Sequence, residues 1–128
     1  MPSISNKSIA DKLMMRQGKT ILFMNEPPGY RNSIGTIGGV VGNDPKGNAD
    51  VIQLFVKDRA ELERDLPRAK KQMNPGASVW VTYYKGTSQH CTDINRDTIA
   101  EYAASIGLEG VAICSIDDDW SALRCKLV

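Results

Sequence analysis

The sequence predicts a three-layer, Rossmann-like α/β fold with a mostly parallel sheet and an antiparallel C-terminal hairpin strand. Three observations carry this. The apolar runs TILFM (Thr20 to Met24) and VIQLFV (Val51 to Val56) lack polar alternation, as strands covered on both faces do. Stripes at helical spacing, each in a segment of ten or more residues, alternate with these runs. The last apolar segment follows a tight turn at Asp117 to Asp119, so it must run antiparallel to its predecessor. At 128 residues, the chain is expected to form one domain over 1–128.

Taken in order, Ser8 can cap a short helix with Ile9 and Leu13 on one face, and Gly18 is its stop signal. Thr20 to Met24 is the first strand. Pro28-Gly29 turns the chain, and Tyr30 to Ile34 suits a helical turn. Gly35 to Asp50 holds a short strand near Ile37 to Val41 inside a glycine-rich loop. That segment is too short for a standard crossover helix plus strand, so this side of the sheet is expected to be reduced. Val51 to Val56 follows as a strand.

Asp58 and Glu61 then have the spacing of a capping box, and Leu62, Leu66, Ala69 and Met73 form the stripe of the helix they open. Pro67 removes one hydrogen bond and should kink that helix. Asn74-Pro75-Gly76 ends it, and Ser78 to Tyr83 is a strand. Asn95 caps a helix with Ile99, Tyr102, Ala103 and Ile106 on its buried face, closed by Gly107. Val111 to Ile116 and Ser121 to Val128 are the closing strands.

Hydrophobic residues make up 41% and charged residues 24%, an ordinary balance for a globular protein that can bury its own core. A net charge of +1 gives no global field that would draw the chain to nucleic acid or an anionic membrane. No apolar run is long enough to span a bilayer, and the first residues show no signal-peptide core. Cys91, Cys114 and Cys125 are odd in number and have no metal-ligand spacing, which points to a reduced, cytoplasmic setting.

Gly35 to Gly42 lacks the Gly-Lys-Ser/Thr ending of a phosphate loop and reads as a turn flanking a short strand. His90 and Cys91 are neighbours in sequence, with no second histidine to complete a metal site, so they read as loop residues. Cys114 and Cys125 are expected near each other across the hairpin, as buried apolar thiols.

Topology gives the candidate site. Ligands of open α/β sheets bind beyond the carboxyl ends of the parallel strands. That edge should collect Asn25, Glu26 and Tyr30 after the first strand, then Lys57 and Arg59. It should also gather Tyr84, Lys85 and His90, and, through the hairpin, Asp117, Asp118, Asp119 and Trp120. Asn25, Glu26, Tyr30, Lys85, Asp118, Asp119 and Trp120 are the ligand-binding candidates, with Lys85 facing Asp118 or Asp119. The same residues also suit structural roles: aspartates in turns, or paired with Lys85, and a tryptophan covering the end of the sheet. No catalytic residue and no metal ligand is singled out.

The stretches MNPGASVWVTYYK and GLEGVAICSIDDDWSALRCKLV resemble the C-terminal half of a class I methyltransferase. There a helix ends in Pro-Gly-Gly, a strand follows, and an antiparallel hairpin closes the sheet; here the second glycine is Ala77. Nearly the whole chain also resembles a family of short bacterial proteins catalogued as a domain of unknown function. The shared features are a helix-Gly-strand start, an Asn/Ala-Pro-x-Gly-Tyr loop and a Leu-Phe-Val…Arg-Ala-Glu-Leu segment. A closing Asp-Asp-x-Trp-Ser hairpin, most specific at Asp118-Asp119-Trp120-Ser121, completes the likeness. The resemblance implies a reduced Rossmann-like, methyltransferase-like fold and assigns no activity or site residue.

S-adenosylmethionine binding on such a fold uses a glycine-rich turn after the first strand and an acid that holds the ribose. Asp44 could imitate that acid. The first loop, however, reads Asn25-Glu26-Pro27-Pro28-Gly29, with two prolines that remove donors and add bulk. The sequence therefore points to a non-catalytic binding or regulatory module on a degenerate methyltransferase-like scaffold, without a cofactor. The alternative is a small enzyme acting on a small molecule at the carboxyl rim; an S-adenosylmethionine-dependent methyltransferase is not expected. The expected partner is a small molecule or another protein, and an edge strand or the hairpin's outer face offers a route to a homodimer.

Overall fold

The structure is a computed structural model that describes residues 9–15, 19–30, 40–42, 48–89 and 92–128. Its elements are α1 (Ile9–Lys12), β1 (Thr20–Met24), β2 (Val40–Gly42), β3 (Ala49–Phe55), α2 (Arg59–Lys71), β4 (Met73–Tyr84), α3 (Arg96–Ser105), β5 (Leu108–Ser115) and β6 (Trp120–Leu127). Among the described residues six strands form one sheet in the order β2-β1-β3-β4-β6-β5. The pairs β1–β2, β1–β3 and β3–β4 are parallel. β6 is inserted antiparallel between β4 and β5. The expected mixed sheet, mostly parallel with an antiparallel closing hairpin, is therefore present.

The inner strands are covered on both faces, as the unbroken apolar runs require, whereas the edge strand β5 is largely exposed, with Val111 at 41% and Ile113 at 47%. Ile52, Leu54, Val79 and Val81 pack against Leu62, Leu66 and Ala69 of α2 and against Ile99 and Ala103 of α3. On the opposite face, Ile21, Phe23, Val51, Phe55, Trp80 and Trp120 pack with Leu13, Met15 and Tyr30. Each large side chain removed from water in this way contributes about 1.5–3 kcal/mol. Trp80 also needs a partner for its ring N–H, and it donates from Nε1 to the Leu13 carbonyl at 2.9 Å.

Local rules place both long helices. Asp58 is the N-cap of α2 and its carboxylate accepts from the Glu61 N–H at 2.9 Å. Glu61 reaches one residue further back than the expected box, accepting from the Lys57 N–H at 2.8 Å. Asn95 and Thr98 form a reciprocal capping box on α3. Gly107 closes α3 at φ 88°, a left-handed conformation that favours glycine. Pro67 lies inside α2 and cannot donate to the Glu63 carbonyl four residues back; the Tyr102 hydroxyl of α3 donates there instead, at 3.3 Å.

Several boundaries depart from the sequence reading; β5, for one, begins at Leu108 rather than Val111. α2 stops at Lys71 rather than continuing through Met73, because the Gln72 carbonyl is taken by the Ala49 N–H at 2.6 Å, which opens the β3–β4 pair. Asn74-Pro75-Gly76 consequently lies within β4. The register jumps from Ala49↔Met73 to Val51↔Ser78, so these residues bulge from the ladder, with Gly76 at φ 80°. The last helical turn expected at Tyr30 to Ile34 begins at Tyr30, and its remainder lies outside the described residues, as do Ser8 and Gly18.

Candidate functional site

β1, β3 and β4 are parallel, so Met24, Phe55 and Tyr84 end on the same edge of the sheet. β6 runs the other way, which brings its first residue, Trp120, and the turn before it to that edge too. The register Tyr84↔Trp120 sets Lys85 level with Asp119. The Lys85 N–H donates to the Asp119 carbonyl at 2.7 Å.

The side chains at the hairpin end pair differently from the expectation. Lys85 does not face Asp118 or Asp119; its Nζ donates to Ser115 Oγ at 2.7 Å. Asp119 accepts from the Ser88 hydroxyl at 2.9 Å. Asp117 Oδ1 accepts from the N–H groups of Asp119 and Trp120, each at 2.8 Å, and so shapes the turn. Asp118 is exposed.

Tyr30 and Trp120 are buried in a row of rings rather than held out on the rim. Tyr30 meets Phe23 and Phe55 edge-on, at centroid distances of 6.2 and 4.7 Å. Phe55 meets Trp120 at 5.1 Å, and Trp120 stacks on Tyr84 at 4.0 Å. Burial pushes the Tyr30 phenol well above its ordinary pKa, against a hydrogen bond with Gln53 that pulls it down. Gln53 is itself buried and donates from Nε2 to Thr82 Oγ1 at 3.1 Å. Asn25, Glu26 and Lys57 sit closer to solvent: Asn25 and Lys57 are exposed and Glu26 is half-buried.

The turn after β1 is built by Asn25, not by the prolines. Asn25 adopts φ 60°, the left-handed region where glycine would normally stand. Its Nδ2 donates to the Phe55 carbonyl at 3.3 Å and to Asp65 Oδ2 at 2.8 Å. Pro27 and Pro28 come after this turn, and the Tyr30 N–H closes back on the Pro27 carbonyl at 3.2 Å. Gly29 is a second left-handed position, at φ 77°, and a Cβ there would meet no atom within 4 Å.

Asp65 was missed by the sequence reading, although its signal was present. It sits at 62, 65, 66, 69 spacing on the apolar stripe of α2, and a carboxylate on a buried face needs partners. Arg64 supplies a two-pronged contact, Nε at 2.9 Å and Nη2 at 2.7 Å, and Arg68 lies at 3.6 Å. The Arg64 hydrogen bonds hold the Asp65 carboxyl below the usual carboxylate range; burial opposes them, and the Asn25 bond and the charges of Arg64 and Arg68 assist.

Further expected positions divide as follows. His90, Cys91, Asp44 and most of Gly35 to Gly42 lie outside the described residues. The neighbouring loop docks on the start of α2: Asp93 accepts from the Arg59 N–H at 3.0 Å, and Thr92 Oγ1 donates to the Lys57 carbonyl. Cys114 and Cys125 are not neighbours across the hairpin. Cys114 pairs with Ala122 and Cys125 with Gly110, and they join cores on opposite faces of the sheet. Burial pushes the Cys125 thiol up to about 12. Among the described residues no group of His, Cys, Asp and Glu could hold a metal ion, and no helix is long and apolar enough to cross a membrane.

With this geometry in hand, known proteins identify the frame. No family model and no curated protein matches the chain. Solved structures do. The N,N-8-amino-8-demethyl-D-riboflavin dimethyltransferase of Streptomyces davawensis superposes with TM-score 0.60 at 13% identity, covering 94% of this chain and 54% of that one. The TehB-like SAM-dependent methyltransferase of Corynebacterium glutamicum gives 0.57 at 12%, covering 98% and 89%. The ribosomal protein L11 methylase of Lactobacillus delbrueckii subsp. bulgaricus gives 0.61 at 10%, covering 92% and 74%. This chain has a methyltransferase-like fold. It spans about half the length of the riboflavin dimethyltransferase.

These structures correct the expectation of a non-catalytic module on a scaffold closed to its cofactor. The three structures named above are methyltransferases or a methylase. The physical error lay in giving the turn after β1 to Pro27 and Pro28: Asn25 makes it, and the prolines stand beyond it.

Proposed function

We propose that this chain is an S-adenosylmethionine-binding domain of the methyltransferase type, with the cofactor at the carboxyl edge of β1 and β3. The observation that supports it most is the left-handed Asn25 at the end of β1, in a sheet of methyltransferase-like order. Glycine commonly fills such a turn in nucleotide-type sites because it has no Cβ to clash in the left-handed region; Asn25 reproduces the conformation and turns its side chain away, toward Phe55 and Asp65. Gly29, left-handed at φ 77°, keeps a second position of the loop free of a Cβ.

In this reading Asn25 and Gly29 line the near side of the cofactor, and the half-buried Glu26 adds a carboxylate acceptor beside it. Asp44 follows the last residue of β2 by two positions in sequence and is the proposed acceptor for the ribose hydroxyls. When bound, the cofactor supplies an electrophilic methyl group to a nucleophilic atom of the acceptor. The chain's own contribution is to hold the two in line and to keep water out, the latter through the ring row from Phe23 to Tyr84 beneath the edge. Lys85, Asp118 and Asp119 lie at the hairpin end of the same edge and are the proposed contacts for the acceptor. A reduced, cytoplasmic setting belongs to the same proposal, supported by the free thiols of Cys114 and Cys125; membership of the short bacterial family is proposed on the sequence resemblance alone.

The test is calorimetric titration of the full chain with S-adenosylmethionine and S-adenosylhomocysteine, alongside thermal unfolding. Saturation at about ten times the dissociation constant should add ~1.4 kcal/mol of stability. Neither heat nor a shift in melting at millimolar ligand would end this reading.

A further inference from the structure

We propose that Asp65 is a positioning residue that sets the turn after β1 through Asn25, taking the place of a glycine at that turn. The inference rests on the cofactor reading above. A residue with a Cβ is disfavoured in the left-handed region, and asparagine is among the few that visit it. Here the conformation is held from outside the loop. Asn25 Nδ2 donates to two acceptors, the Phe55 carbonyl at the end of β3 and the Asp65 carboxylate on α2. One amide therefore ties the ends of two adjacent parallel strands to a helix.

Asp65 makes this tie rigid because it cannot swing away. It is 2% exposed, and Arg64 and Arg68 hold it from the solvent side. Since both partners of Nδ2 are acceptors, the amide is fixed with its N–H groups inward and Oδ1 on the opposite side. A buried carboxylate on an apolar helix stripe has no packing reason to be there. Its placement follows if its task is to hold Asn25, and through Asn25 the main chain that the cofactor approaches.

The experiment is a double-mutant cycle on the full chain, read by S-adenosylhomocysteine affinity and by backbone amide exchange over Asn25 to Gly29. Asp65→Ala should weaken binding roughly tenfold, within the range for residues coupled in one hydrogen-bond network. Asn25→Gly, in which glycine adopts the turn unaided, sets the reference affinity for the second arm of the cycle. In the Asn25→Gly background Asp65→Ala should cost no further affinity, although a purely structural role would cost the same in both backgrounds. Equal losses in the two backgrounds, or unchanged affinity in Asp65→Ala, would overturn the assignment. Should Asp65→Ala fail to fold, Asp65→Asn, which keeps an acceptor but sheds its charge against the arginines, is read in the same way with a smaller loss. If the wild-type chain binds no S-adenosylhomocysteine, it is the cofactor reading that fails. Exchange still judges the tie: faster exchange in Asp65→Ala that is absent beside Asn25→Gly supports it, and unaltered exchange refutes it.

Discussion

The two ends of the carboxyl edge are held by different physics. At the hairpin end, β4 and β6 are laddered from Ser78↔Lys126 to Tyr84↔Trp120, and the stack of Trp120 on Tyr84 caps the ladder. At the other end, among the described residues, β1 pairs with β2 from Thr20↔Val40 to Leu22↔Gly42 and with β3 from Ile21↔Val51 to Met24↔Leu54. The turn beyond β1 is held by two side-chain hydrogen bonds of Asn25, one to the Phe55 carbonyl and one to Asp65 on α2. A long antiparallel ladder with aromatic packing spreads its stability over many groups, whereas a polar tie concentrates it in a few. A site that must admit a ligand belongs at the second kind of end, where opening costs few contacts.

The comparison can be broken most forcefully at Trp120. Trp120→Ala removes the contacts with Phe55 and Tyr84 together and should cost about 3–5 kcal/mol in urea unfolding. A loss under ~1 kcal/mol would mean that the hairpin end is not held by its rings.

A second prediction sharpens the other end through pH. Asp65 has a lowered pKa in the folded chain, so its stabilising effect is fully present above the unfolded value of ~3.9 and fades as pH falls through the folded value. The stability difference between wild type and Asp65→Asn should thus stay level from neutral pH down to about 5 and shrink below ~4. A difference indifferent to acid would remove the Arg64–Asp65 pair from the account.

The smallest effect is expected where α2 and α3 meet. Tyr102→Phe removes the hydroxyl that serves the Glu63 carbonyl left unbonded by Pro67; this contact is exposed and water can replace it, so the cost should be only about 0.5 kcal/mol. A Pro67→Ala background supplies the missing N–H, so there the same substitution should cost less; an equal cost would show that the hydroxyl does not serve that carbonyl.

Much of this was readable in advance. The starts of both long helices and the core strands at Thr20 to Met24 and Val51 to Val56 were placed to within a residue or two. Asp58 and Asn95 act on backbone groups three residues away, and that reach is written in sequence spacing. The edge that gathers Asn25, Lys85 and the Asp117 to Asp119 turn followed from strand direction alone. The pairing of Lys85 did not follow: that its ammonium meets Ser115 is decided by the register of a hairpin, not by composition.

The sequence by itself determined which segments become strands and helices and where the two long helices start, because burial periodicity and capping operate over a turn or two of chain. Only the tertiary structure decided that β6 lies between β4 and β5, that Tyr102 answers for Pro67, and that Asn25 rather than the prolines makes the first turn. Each of these joins groups far apart in the chain. Asn25 and Asp65 are forty residues apart, and a hydrogen bond over that separation exists only once the sheet has brought its two ends together.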